Sequence, residues 1–206
     1  MLQRTAIGGS YARDVMTKPK GRSARGEAIV LFSGGLDSTA CVRFLEGSNF
    51  NAAGLFVDYG QAALKREERA VAAVAKVLSI RVRRLRIEGF RKSGVGELAG
   101  RNSLLISAAL VAARGRSCVI GIGVHACTPY YDCSERYLKI MNMLVREQTD
   151  GRVSILAPFS GWTKRDIYDY AIGERLPIDR TYSCEKGTLP TCGTCASCQD
   201  RGALGC

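Results

Sequence analysis

Short apolar runs alternate along this chain with longer segments whose apolar positions recur at helical spacing. Residues 28–32 (AIVLF) are continuously apolar, the pattern of a strand buried on both faces. A glycine turn follows, and 39–45 has helical composition. Leu55–Val57 closes a second apolar run. Over 61–78, Leu64, Val71, Val74, Ala75 and Leu78 fall on one side at 3.6-residue spacing, which predicts a long amphipathic helix. Residues 80–87 alternate in part, with Arg81, Arg83, Arg84 and Arg86 interleaved, as in a strand at a sheet edge. Residues 103–113 are apolar almost all round and predict a buried helix; 118–124 predicts another strand and 137–148 another amphipathic helix. Thr163 with Asp166 forms a capping-box pattern opening a helix over 164–175.

Strands alternating with helices predict an α/β fold, a Rossmann-like parallel sheet covered on both faces. Ligands of such folds sit at the carboxyl ends of the strands, near the point where strand order reverses. Residues 1–27 lack this periodicity: Arg4, Arg13, Lys18, Lys20, Arg22 and Arg25 face only Asp14 and Glu27, which reads as a flexible basic arm. The 206 residues suit one main domain over 28–180, with a cysteine-rich segment over 181–206.

Composition adds limits. With 46% hydrophobic and 24% charged residues the chain is globular rather than disordered. A net charge of +11 and a pI near 9.4 favour an anionic partner without choosing among nucleic acid, nucleotide and acidic protein. No apolar run approaches the ~20 residues of a membrane span, and the first residues lack a signal-peptide core, so a cytoplasmic protein without membrane contact is expected.

Four of the nine cysteines crowd the end of the chain. Cys184, Cys192, Cys195 and Cys198 supply four thiolates within fifteen residues, and the two-residue gaps let neighbouring sulfurs reach one ion, with Gly193 permitting the turn. In a reducing compartment this favours a closed, structural Zn²⁺ site, with an iron–sulfur cluster as the alternative and disulfides behind both.

Residues 33–38 (SGGLDS) follow the first strand and open a helix. Gly34 and Gly35 permit a tight turn and close backbone approach, so that N–H groups and the helix N-terminus form an anion cradle. Ser33 and Ser38 add hydroxyls; Asp37 suits a phosphate site only by holding a cation or orienting the loop. The lysine of a Walker-type loop is absent from the hexapeptide, which disfavours ordinary kinase or GTPase chemistry.

The hexapeptide resembles the SGGxDS loop of the ATP pyrophosphatases, which implies the adenine-nucleotide-hydrolase variety of the fold. Together with the cysteine cluster it resembles the 7-cyano-7-deazaguanine synthases. Between the two motifs, VDYGQ (57–61), GRN (100–102), IGIGV (120–124), YDC (131–133) and SC (183–184) follow in the family's order, from about Ala28 to Gly202. The resemblance implies an ATP-dependent C–N ligase of the queuosine pathway. It would adenylate the carboxylate of 7-carboxy-7-deazaguanine, accept ammonia to give the amide, and dehydrate the amide to the nitrile after a second activation. It implies a nucleotide site from Ser33, Gly34, Gly35, Leu36, Asp37 and Ser38 with Phe56, Val57 and Asp58, and catalytic roles for Ser33, Asp37, Ser38 and Arg101. A substrate site follows from Tyr59, Gln61, Arg101, Asn102, His125, Tyr131 and Asp132. ATP, Mg²⁺ and structural Zn²⁺ are the implied cofactors, and a homodimer the implied assembly.

Two departures stand out. Ala63 replaces the family's histidine after the GQ pair, and HACTP (125–129) replaces a longer, Asp-containing segment near the deazaguanine. They favour, as alternatives, a paralogue passing the activated deazaguanine to a protein amine, as in anti-phage operons, or to nucleic acid. A non-catalytic nucleotide-binding module and a tRNA-thiolating pyrophosphatase are the remaining alternatives; for the last, Cys118, Cys127 and Cys133 are either sulfur carriers or small core residues. Asp58 and Gln61 are equally readable as a cap for the following helix, and Tyr131 and Trp162 as core rings rather than base-stacking ones.

Overall fold

The computed structural model describes residues 25–89, 98–126 and 128–205; residues 1–24 of the basic arm and Cys127 lie outside them. Five parallel strands form one sheet in the order β3-β2-β1-β4-β5: β1 (Gly26–Leu31), β2 (Phe50–Asp58), β3 (Val82–Arg86), β4 (Cys118–Gly121) and β5 (Val153–Leu156). Ala28 pairs with Ala52 on one side and Val119 on the other, and Cys118 with Val153. Strand order therefore reverses between β1 and β4, and the glycine turn leaves β1 at that reversal.

Helices cover both faces: α1 (Leu36–Gly47), α2 (Leu64–Leu78), α3 (Arg101–Ala113), α4 (Glu135–Gln148), α5 (Lys164–Gly173) and α6 (Ala196–Leu204). Under α3 and α4 the core comprises Leu55, Ile106, Ala109, Leu138, Val145 and Ile155. Under α1, α2 and α5 it comprises Val30, Phe32, Leu45, Val74, Phe159 and Ile167. Trp162 belongs to the second core, edge-on to Phe44 at 6.3 Å and Tyr170 at 5.7 Å, so the core alternative describes it.

The α/β architecture is as expected, with differences in detail. The helix expected over 39–45 begins at Leu36, inside SGGLDS, because the hexapeptide is itself the helix start. The helix expected over 103–113 begins at Arg101 and is not buried all round: Ile106, Ala109 and Ala113 face the core while Val111 is 76% exposed. Strand β5 and helix α6 have no counterpart in the sequence pattern. In β5 Ser154 interrupts the apolar run, and α6 is held by the cysteine segment rather than by an apolar stripe.

Candidate nucleotide and substrate site

The carboxyl ends of β1, β2 and β4 open into a cavity of about 260 Å³. Gly34 makes the turn possible: its φ is +75°, and a Cβ there would stand 2.6 Å from the backbone N of Val71. Gly35 is the α1 N-cap, and the Ser38 and Thr39 hydroxyls donate to its carbonyl at 3.0 and 2.8 Å. The Ser33 and Ser38 hydroxyls lie 3.3 Å apart on the cavity side. The segment after β4 closes against the loop from behind, where a Cβ on Gly123 would meet the Asp37 backbone at 2.8 Å.

Asp37 does hold a cation, and it comes from far along the chain. The Lys164 ammonium donates to both Asp37 oxygens at 2.7 Å. Lys164 is the first residue of α5, fixed there by the Thr163–Asp166 capping box. The glycine loop thus acquires from β5–α5 the lysine its own hexapeptide lacks. Sequence offered one signal: a cation in a helix's first turn opposes the dipole preference for acids and calls for another reason.

Across the cavity, Arg101 opens α3, with the left-handed Gly100 (φ +79°) before it. Asp132 stands behind it: its carboxylate accepts from the Asn102 backbone N–H at 3.1 Å, and its carbonyl from the Asn102 amide at 2.9 Å. Asp132 is 8% exposed and caps α3 from a separate turn (Tyr131–Cys133). Gln61 staples the turn after β2, accepting from the Tyr59 N–H at 3.0 Å and donating to the Val57 carbonyl at 3.1 Å.

Glu67 joins this wall from α2 and accepts from the Gln61 amide at 2.8 Å through Oε2. Burial pushes its carboxyl above the ordinary range, outweighing the Gln61 hydrogen bond and the nearby Arg101 charge. Its sequence signal was legible: Leu64, Glu67, Val71, Val74 and Leu78 form one stripe, and Glu67 is the charged member.

Of the residues singled out from the sequence, Ser33, Gly35, Leu36, Asp37, Ser38, Phe56, Val57, Tyr59, Gln61, Arg101 and Asn102 line this cavity. Gly34 shapes the turn from outside the lining, and Asp58, His125, Tyr131 and Asp132 also lie outside it. Asp58, only 4% exposed, faces Arg84 at 2.7 Å and Arg86 at 3.9 Å. Its burial works against the charge, but the Arg84 and Gly60 hydrogen bonds and the two guanidinium charges hold its carboxyl below the usual range. The His125 ring Nδ1 lies 2.6 Å from the Ala126 carbonyl, and Tyr131 is exposed, edge-on to Tyr137. Cys118 and Cys133 also lie outside the lining, and burial raises both thiols, Cys133 to about 11.

The four C-terminal cysteines converge, with all their Sγ atoms within 4.8 Å of one another. Gly193 makes the intervening turn at φ +68°. The Cys184 Sγ is buried, which opposes ionisation, yet backbone donors led by the Cys192 N–H, together with Thr188 and Tyr182, bring the thiol down to about 5. Cys192 is also lowered, whereas burial and neighbouring sulfurs push Cys198 up to about 12. Four thiols converging within this distance fit a tetrahedrally held metal ion.

This segment is also a wall of the cavity. Tyr182, Ser183, Glu185 and Ser197 line it. The Tyr182 N–H donates to the Gly34 carbonyl at 3.1 Å, tying the cysteine segment to the glycine loop.

The profile of the family described as "Queuosine biosynthesis protein QueC" matches residues 27–203. The chain belongs to that family. Among curated relatives, the 7-cyano-7-deazaguanine synthase of Koribacter versatilis (strain Ellin345) is 33% identical over 210 residues, covering 86% of this chain and 87% of that protein. The enzyme of the same name from Prochlorococcus marinus (strain MIT 9515) is 30% identical over 204 residues, covering 84% and 91%. Solved structures carry the same fold at lower identity. The U34-tRNA thiolase NcsA from Methanococcus maripaludis matches with a TM-score of 0.50 at 13% identity, over 93% of this chain and 69% of that one. A predicted tRNA methyltransferase subunit from Methanocaldococcus jannaschii matches with 0.51 at 15%, over 71% and 74%.

Position 63, the other departure, packs against the cysteine segment. Ala63 is buried before α2, and Gly187 of the cysteine segment (φ +70°) lies against it: a Cβ on Gly187 would meet the Ala62 carbonyl O at 2.5 Å and the Ala63 Cα at 2.9 Å.

Proposed function

We propose that this protein is a 7-cyano-7-deazaguanine synthase, an ATP-dependent ligase that adenylates the carboxylate of 7-carboxy-7-deazaguanine. One observation carries the reading: the SGGLDS loop with Lys164 and the Arg101–Glu67 wall face one cavity at the topological reversal of the sheet. The glycine loop's hydroxyls and N–H groups bind phosphate oxygens, and Lys164 moves between Asp37 and the phosphates as charge arrives. Arg101 holds the substrate carboxylate. A carboxylate oxygen attacks the α-phosphorus and pyrophosphate leaves, with Lys164 stabilising the departing charge. Ammonia displaces AMP from the acyl adenylate, and Glu67 takes the proton released. In the second round the amide oxygen is adenylated with loss of pyrophosphate and of one N–H proton; loss of the second N–H proton to Glu67 and of AMP from the imidate adenylate yields the nitrile. Glu67 is the positioned base that HACTP does not supply.

Asp37 is engaged by Lys164 through both oxygens, so Mg²⁺ would come held mainly by the ATP phosphates, whose charge it would offset. The convergent thiols fit Zn²⁺ as the structural ion, about one per chain.

A second reading, in which the reaction stops at adenylate or amide and an acceptor amine captures the acid, rests on His125 and Asp132 lying outside the cavity lining. Mass spectrometry after incubation with ATP and 7-carboxy-7-deazaguanine, with and without ammonia, separates the two. Nitrile with about two AMP per product supports the synthase; accumulated amide supports the second reading. No AMP release with the acid would reject the substrate assignment altogether.

A further inference from the structure

The end of the molecule opposite the cavity carries nearly all the excess positive charge of the described chain. In a parallel sheet the loops leaving the helices deliver the chain to the amino ends of the strands. The last helical turns, loops and first strand residues at that end (25–27, 43–51, 76–83, 113–118, 146–153 and 173–176) hold ten cations against five acids. The remaining described residues hold thirteen against twelve. Nine of the ten are arginine. Arg81, Arg83, Arg114, Arg116, Arg146 and Arg152 are all exposed.

Several of these side chains span neighbouring elements at this end. The Arg83 guanidinium reaches from edge strand β3 to the Ala112 carbonyl at 3.3 Å, at the end of α3. Arg114 and Arg152 line one shallow cavity with Gln148, beside the starts of β4 and β5. Five strands at ~4.8 Å make this end about 20 Å wide, room for roughly six phosphates of one strand at 3.4 Å rise. Helix C-termini at this end offset only about half a charge each. Few of the cations are neutralised by partners: Arg43 pairs with Glu46 and Glu174 and Arg152 with Asp150, while Arg81, Arg114 and Arg146 form no ion pair among the described residues.

We infer that this end is a docking surface for the phosphodiester backbone of a nucleic acid. The guanidinium fork matches phosphate geometry, and a row of arginines with few acids suits a repeating anion better than the mixed surface of a folded acidic protein. The cavity opens on the far side, so bound nucleic acid leaves it clear: the surface localises the enzyme and does not present an acceptor base.

Fluorescence anisotropy with the full chain tests this, using a labelled 24-base RNA and, separately, a 24-base-pair DNA duplex between about 50 and 200 mM salt. Affinity should fall steeply with salt, and the arm with the tighter binding names the nucleic acid. The triple variant Arg81→Gln/Arg114→Gln/Arg146→Gln should keep the thermal midpoint, flatten the log–log salt slope by about 2–3, and bind roughly tenfold or more weakly near 100 mM. Absence of binding to both probes at about 50 mM would overturn the inference. So would a triple variant that binds like the parent, or tighter binding to anionic lipid vesicles lost through the same three residues.

Discussion

Lys164 illustrates how one side chain acquires a role from its surroundings. Its ammonium sits on both Asp37 oxygens with the pair largely shielded from water, so in the absence of phosphates each charge satisfies the other. Lys164→Ala should leave Asp37 facing the incoming phosphates unpaired and remove a cation from the developing pyrophosphate. We expect AMP-forming turnover to fall by about 10²–10³, the usual scale for losing one donor at a developing charge. Lys164→Arg should recover only part of it, because the longer planar fork does not fit the point-charge position. Turnover unchanged in Lys164→Ala would remove the lysine from the chemistry. Glu67 gives a different kind of test. A base works when deprotonated, and burial raises this carboxyl, so activity should be lost on acidification at a pH above the ordinary glutamate range. Glu67→Gln should abolish that acidic limb and slow ammonia-dependent product formation more than AMP release. A limb that persists in Glu67→Gln belongs to another group.

At the scale of elements, α3 shows a helix end held by a partner outside it. Asp132 accepts from the Asn102 N–H and so fixes the turn that presents Arg101. Asp132→Ala should destabilise the fold by about 1–3 kcal/mol, the cost of stranding a buried donor, and raise KM for the acid more than it lowers kcat. Differential scanning calorimetry with steady-state kinetics reads both; a large kcat loss at unchanged KM would place Asp132 in the chemistry instead. Much of this level was legible in the sequence. The apolar run 28–32, the stripe of α2 and the Thr163–Asp166 box each encode an element through local spacing, and all three elements are present. β5 was not legible, because Ser154 interrupts its apolar run and its burial comes from β4 and α4 and, at Leu156, from the core under α1 and α5. The site followed the same rule. The cavity-lining residues of SGGLDS, VDYGQ and GRN share both motif and place, whereas Lys164 and Glu67 carry only a local oddity in the sequence and join the cavity because the sheet brings β5–α5 and α2 to the loop. His125 stood in sequence where a ligand-facing group belongs, but its ring lies against the Ala126 carbonyl and outside the cavity lining.

At the scale of the whole molecule, the cysteine segment is tied to the glycine loop and shares its cavity. The Tyr182 N–H, two residues before Cys184, donates to the Gly34 carbonyl, and Ser197, between Cys195 and Cys198, lines the cavity and donates to Glu185. Removing the metal should therefore loosen the loop as well as the segment. The thiols set the pH sense of this coupling. Cys184 is lowered to about 5, so its thiolate persists from alkaline pH down to that value and is lost only below it. Cys198 is raised to about 12 and keeps its proton at neutral pH until a cation displaces it. Metal uptake at pH 7 should accordingly release at least about one proton per chain, and acidification should release the metal. We expect chelation to lower the thermal midpoint and to weaken binding of a non-hydrolysable ATP analogue in parallel, both restored by Zn²⁺, with the released proton seen in weakly buffered solution. Cys195→Ser should reproduce both losses without added chelator. Stoichiometric iron with acid-labile sulfide in the isolated protein would replace zinc by a cluster, and ATP-analogue affinity untouched by complete metal removal would show that the segment folds independently of the loop it borders.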